Sequence, residues 1–103
     1  MSTHKLETKN IEGMPVVVVA GWEPGARAFH LKIESGVKKM FERGAVTHSG
    51  AARWGIDRIR EVLDQYGITV PRGMLDEIAL DAQCSAGEKS VQWLPDGTAV
   101  RLA

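Results

Sequence analysis

The sequence predicts an α+β fold. It is a two-layer sandwich in which an antiparallel sheet from two hairpins, in the order β-β-α-α-β-β, carries an αα-hairpin on one face. Three observations predict it. A β-branched run and an alternating run flank a Pro-Gly turn between residues 16 and 34. Two amphipathic stretches of helical period follow, and a Pro-Asp-Gly turn then joins two short alternating runs. Helices gathered on one face of a sheet let every apolar stripe be buried.

Composition sets the bounds. A chain of 103 residues, 44% hydrophobic and 25% charged, has the make-up of one globular domain rather than a disordered chain. Thirteen basic side chains balance thirteen acidic ones, which excludes a polybasic nucleic-acid protein or an acidic nucleic-acid mimic. Cys84 is the single cysteine, so there is no intramolecular disulfide framework and no thiolate metal site. The longest apolar run, Val16 to Ala20, is strand-sized and far short of the roughly 20 residues that span a bilayer. Met1 to Asn10 lacks the hydrophobic core of a secretion signal, so the expectation is a cytoplasmic protein with no membrane association.

Each element has its own signal. Residues 1–13 read as a polar, flexible tail ahead of a single domain at 14–103, with Lys5, Glu7, Lys9 and Glu12 alternating in sign around isolated Leu6 and Ile11. Val16 to Ala20 is a strand apolar on both faces, and Trp22 to Ala26 is a turn in which Pro24 fixes φ and Gly25 is unrestricted. Phe29, Leu31 and Ile33 alternate with His30, Lys32 and Glu34, a strand with one buried and one wet face that closes the first hairpin. Residues 35–50 read as a loop with a short helical piece around Val37, Met40 and Phe41, because Gly36, Gly44 and Gly50 disfavour anything longer. Ile56, Ile59, Val62, Leu63 and Tyr66 form the stripe of the first helix, with Ser49 as candidate cap and Gly67 as left-handed stop. The second helix starts near Pro71, carries Met74, Leu75, Ile78, Ala79 and Ala82, and ends before Gly87. The short link between the helices makes them antiparallel neighbours, with Ile68 and Val70 turned into the core. Ser90 to Leu94 and Thr98 to Leu102 flank Pro95-Asp96-Gly97 as the second hairpin, where Val91 and Trp93 share a face and Val100 and Leu102 supply apolar partners.

Candidate chemistry is sparse. A catalytic Cys84 needs a nearby histidine and an orienting group, and the sequence spreads His4, His30 and His48 over the tail, a strand and a loop. No His pair has metal-ligand spacing, so no metal is expected. Thr47-His48-Ser49-Gly50 lacks the Gly-x-Ser-x-Gly of a nucleophile elbow, and no Gly-Lys-Ser/Thr completes a phosphate loop. No catalytic residue and no cofactor are expected.

Charge segregation offers more. Lys38, Lys39, Arg43, Arg53, Arg58 and Arg60 outnumber Glu42 and Asp57 in the middle of the chain, whereas Glu61 to Glu88 is predominantly acidic. Such runs commonly decorate wet faces, but the basic stretch also suits phosphate or an acidic protein surface. Trp22, at a hairpin mouth beside Pro24-Gly25, is of the type that anchors protein partners, or else it folds back on the hairpin. Trp54 and Trp22 lack the interleaved cations of a base-stacking platform.

The run Val19-Ala20-Gly21-Trp22, Phe29 in the next strand, Tyr66-Gly67-Ile68-Thr69-Val70-Pro71 followed by Met74-Leu75, and Trp93 with Asp96-Gly97 together resemble a class of small bacterial proteins. These have a Gly-Trp hairpin, a Gly-Ile-x-Val-Pro helical corner and a late Trp. Glu23-Pro24-Gly25 departs from the Asp-Arg-Pro-like turn of that pattern. The resemblance implies a fold and a bacterial accessory role, such as that of a phage or mobile-element protein, and no activity or site residue.

The expectation is therefore a small non-enzymatic binding protein that occupies a surface on a larger protein through Trp22, Lys38, Lys39, Arg43 and Arg53. Inhibitors of host defence, CRISPR inhibitors among them, are of this type. The alternative is an accessory nucleic-acid binder using residues 38–60, and a homodimer through an edge strand is compatible with either.

Overall fold

The computed structural model describes residues 1–36, 38–43, 55–84 and 87–102. The described residues form β1 (Ser2–Lys9), β2 (Pro15–Glu23), β3 (Ala28–Ser35), β4 (Lys38–Arg43), α1 (Ile56–Gln65), α2 (Arg72–Cys84), β5 (Lys89–Trp93) and β6 (Ala99–Arg101). The strands make one six-stranded sheet in the order β4-β3-β2-β1-β5-β6. Every neighbouring pair is antiparallel except β1 and β5, which run parallel. The α+β class and the two helices packed on a sheet agree with the sequence. The element order does not: it is β-β-β-β-α-α-β-β, and the sheet is mixed.

Two strands account for the difference. Residues 1–13 are not a tail, because Ser2–Lys9 is a central strand hydrogen-bonded on both edges. Its alternation of Lys5, Glu7 and Lys9 is the wet face of a strand, and the inward positions Ser2, His4 and Leu6 are fully buried. Residues 38–43 are a strand rather than a helical turn. The β3–β4 register slips between Ile33 and Glu34, so Phe41 lies opposite Ile33 and Lys39 opposite Glu34. This bulge lets Met40 and Phe41 both pack on the core, which breaks the period-two pattern.

The core lies between the sheet and the helices. Leu6, Val18, Leu31 and Ile33 meet Ile59, Val62 and Leu63 of α1 and Met74, Leu75 and Ile78 of α2. Each such side chain contributes roughly 1.5–3 kcal/mol on burial. α1 starts after Gly55 with no side-chain cap, and Ser49 lies outside the described residues. Its C-terminus is a Schellman motif: Ile68 N–H donates to Leu63 O at 2.9 Å and Gly67 N–H to Asp64 O at 3.0 Å, with Gly67 at φ +68°. Ile68 and Leu63 are both buried, which supplies the apolar contact of the motif. Tyr66, at the end of the helix, packs edge-on against Phe41 and donates its hydroxyl hydrogen to Met40 O, fastening α1 to β4.

The second hairpin forms as predicted, with one correction. Val91 and Trp93 face the helices, but Val100 lies opposite Gln92 and so points to the other face, as does Leu102. Paired residues share a face, and the turn places Val100 in register with a polar residue. Among the described residues no helix is long and apolar enough to cross a membrane.

Candidate functional site

Among the described residues, the most connected polar cluster lies beneath α2. His4 enters from β1, Trp93 and Lys89 from β5, and Asp81 and Glu77 from the sheet-facing side of α2. His4 Nε2 lies 2.6 Å from Asp81 Oδ2, and Trp93 Nε1 lies 2.9 Å from His4 Nδ1. Indole nitrogen only donates, so Nδ1 must be the acceptor and the imidazole proton sits on Nε2, donated to Asp81. Lys89 Nζ reaches Asp81 Oδ1 at 2.7 Å and Glu77 Oε1 at 2.9 Å.

The electrostatics follow from this wiring. Burial holds the His4 imidazole below its ordinary pKa despite the attraction of Asp81, so it is neutral. Burial also opposes ionisation of Asp81, yet hydrogen bonds from Lys89, His4 and Ser2 outweigh it and hold the carboxyl below its usual value. Lys89 is likewise opposed by burial, but Asp81 and Glu77 raise its pKa overall. With both ring nitrogens engaged and no exposed surface, His4 has neither a lone pair nor a proton to offer a substrate. Its role is that of a joint between β1, β5 and α2.

The sequence reading brings none of these residues together. His4 falls in the supposed tail, and Asp81 counts as one more charge on an acidic helix. One signal was present: Asp81 stands three residues after Ile78, on the edge of the apolar stripe, where a carboxylate needs a partner.

The predicted site residues are dispersed. Trp22, at the end of β2, is half-buried on the helix-facing side, with its ring edge-on to Phe29 at a centroid distance of 5.0 Å. Its Nε1 is buried without a hydrogen-bond partner. Lys38 and Lys39 are exposed on β4, an edge of the sheet, and as successive strand residues they point to opposite faces. Arg43 is at the other end of β4, in register with Leu31, two residues along β3 from Phe29. Arg53 lies outside the described residues, as do Val37, Trp54, His48 and Ser49. The structure therefore brings Arg43 toward the end of the sheet where Trp22 sits and leaves Lys38 at the far end of the same strand.

The other candidates are also placed. His30 is not a freely solvated side chain: it is half-buried, and Nε2 donates to Ser2 O at 3.0 Å. It reaches that carbonyl across Gly21, where a Cβ would come within 1.9 Å of the same oxygen. Cys84 is exposed at the end of α2. Among the described residues no three His, Cys, Asp or Glu side chains are arranged to hold a metal ion. Arg58 and Arg60 on α1 face Glu61 and Asp57 one turn away, at 2.7 and 3.1 Å. Arg60, Asp64 and Arg72 border an open groove of about 450 Å³ at the corner between the helices.

The face of the sheet away from the helices carries Lys5, Glu7, Val17, Val19, Lys32 and Glu34 in its middle, flanked by β4 and β6. Lys32 pairs with Glu34 at 3.1 Å and Lys5 approaches Glu7 at 4.0 Å, so the centre is close to neutral. No protein-family model, curated protein or solved structure matches the chain.

Proposed function

We propose that the protein is a small non-enzymatic binding protein that occupies an acidic surface on a larger protein, using the β4 edge and the adjoining open face of the sheet. The observation that carries this reading is the exposure of Lys38 and Lys39 on an edge strand, beside a sheet face on which no described helix packs. Edge lysines also discourage unspecific strand pairing, so such an edge favours a partner that brings carboxylates rather than a bare strand. The setting that suits a compact domain of this kind is the accessory repertoire of a phage or other mobile element, as an inhibitor of a host protein.

The nucleic-acid alternative draws less support. Two of its six cations, Arg58 and Arg60, are each turned toward a carboxylate of their own helix, and the stretch is divided between β4 and α1. A tagged pull-down from bacterial lysate, with and without nuclease, separates the two. A stoichiometric protein that survives nuclease and is lost with Lys38→Glu and Arg43→Glu supports the proposal; capture that disappears with nuclease overturns it.

A further inference from the structure

The open face of the sheet is ordered in cross-strand rows. One row runs Lys32, Val19, Lys5, Gln92 and Val100, each in register with the next. The adjacent row runs Glu34, Val17 and Glu7, and Leu94 continues it because Trp93 is in register with Leu6. The first row is cationic and the second anionic, with a valine between the two charges of each. Two residues of strand separate the rows, about 7 Å. Lys32 pairs with Glu34 along β3 and Lys5 approaches Glu7 along β1, yet these side chains keep 37%, 34%, 48% and 66% of their surface exposed. Leu94 and Val100, at the end of the rows, are 46% and 51% exposed.

We infer that a second copy of the chain covers this face, the two sheets stacking about a twofold axis that runs across the strands between the two rows. Rotation about that axis keeps each strand at its place in the sheet order and exchanges the rows. Lys5 then lies over Glu7 of the second copy, Lys32 over its Glu34 and Val19 over its Val17, and the reverse holds by symmetry. Lys5 and Glu7 of the two copies close a quartet of alternating sign, a network rather than an isolated surface pair. Leu94 falls over Gln92 and Val100, which gathers the exposed apolar side chains at one end. In the rows on either side, Lys9 lies over Thr3 and Pro15 over Gly21, so no like charges meet.

Charge selects both the axis and its position. Moving the axis by one row sets Lys5 over Lys5 and Lys32 over Lys32. A twofold along the strands lays each row over itself in reverse, which joins cations to cations or to uncharged groups and never to carboxylates. Five strands and four rows give a footprint on the order of 500 Å² per copy, or about 1,000 Å² in all, close to the lower limit of a specific interface. The dimer goes beyond the target binding proposed above and does not depend on it. Lys38, in register with Ser35, projects to the helix side of β4, and the stacked sheets leave it uncovered.

Sedimentation equilibrium of the full chain from about 10 μM to 1 mM spans the affinities of a small interface. The expected result is a concentration-dependent monomer–dimer equilibrium. Lys5→Glu opposes carboxylates at two symmetric places and is expected to weaken the dimer at least about tenfold. The double reversal Lys5→Glu with Glu7→Lys keeps the net charge and restores opposite signs across the twofold, so it self-associates again. Mixed with the native chain it forms no heterodimer, because positions 5 and 7 then oppose like signs. A separate fluorescent label on each chain reads that mixing. A chain that stays monomeric throughout, a dimer indifferent to Lys5→Glu, or a double reversal that stays monomeric or pairs freely with the native chain would overturn the inference.

Discussion

His4 and Asp81, 77 residues apart in the chain, meet at 2.6 Å between the central strand and the second helix. That contact, with Trp93 on the other side of the imidazole and Lys89 on the other carboxylate oxygen, ties the N-terminal strand to the last helix and to β5. The first strand, the second helix and the C-terminal hairpin are thus locked by one polar cluster inside an otherwise apolar layer.

Removing the shared acceptor should be costly. Asp81→Ala leaves the buried His4 imidazole N–H without its acceptor and the part-buried Lys89 ammonium with Glu77 alone, a loss of at least about 1–3 kcal/mol. Urea unfolding measures it. A change within about 0.5 kcal/mol, the range of ordinary surface substitutions, would contradict the structural role given to this carboxylate.

The same cluster sets a pH dependence. His4 is held below its ordinary value of 6.5, so the unfolded chain binds a proton there more readily than the folded one. Its contribution is fully present above 6.5 and is lost as the pH falls through the lower folded value. Asp81, held below 3.8, acts in the same direction at more acidic pH. Lys89, raised above 10.5, stabilises below that value and ceases to as the pH rises through the folded value. Melting temperature should therefore be level between these limits and begin to fall below about pH 6.5, and His4→Gln should remove the first part of that fall. An identical acid limb in His4→Gln would assign it to other groups.

Two glycines are irreplaceable for different reasons. At Gly21 a Cβ would lie 1.9 Å from Ser2 O, a backbone atom held in place by the pairing of Ser2 with Lys89 in the β1–β5 ladder. At Gly67, φ is +68° and a Cβ would lie 2.5 Å from Ile11 Cγ2, where Ile11 N–H also donates to Gly67 O. Gly67→Ala should cost about 1–2 kcal/mol and Gly21→Ala at least as much as ordinary overpacking, about 1–3 kcal/mol. Thermal denaturation of both variants checks this; a wild-type melt for Gly21→Ala would contradict the close approach.

The β4 edge can be probed with a built-in control. Lys39→Glu places a carboxylate opposite Glu34 and should cost roughly 0.2–1 kcal/mol in stability, whereas Lys38→Glu faces Ser35 and should cost less. Binding lost in Lys38→Glu with an unchanged melting temperature then reports on the surface alone. Equal destabilisation by the two would contradict the register.

Much of this fold is legible in the residues. The β2–β3 hairpin, the helical corner at Gly67 and the Pro-Asp-Gly hairpin follow from period, capping and turn chemistry, which act over a few neighbours. β1 and β4 do not announce themselves. The inward face of β1 holds Ser2 and His4, polar residues whose burial depends on Trp22, Asp81 and Trp93 far away in the chain. In β4 the bulge sets Met40 and Phe41 on the core together and mimics a helical spacing. The polar joint stays hidden for the same reason: no local pattern shows that His4 and Asp81 meet. Of the surface residues, the sequence identifies the cations, and the topology then distributes them over both faces and both ends of one strand.

Native-state hydrogen exchange at the amides of Thr3 to Thr8 tests the central place of β1 most directly. As the middle strand of the sheet, they should exchange only through global unfolding, with the same opening free energy as Val18 and Ile33. Exchange of those amides at the rate of an unprotected chain, while Val18 and Ile33 remain protected, would contradict it.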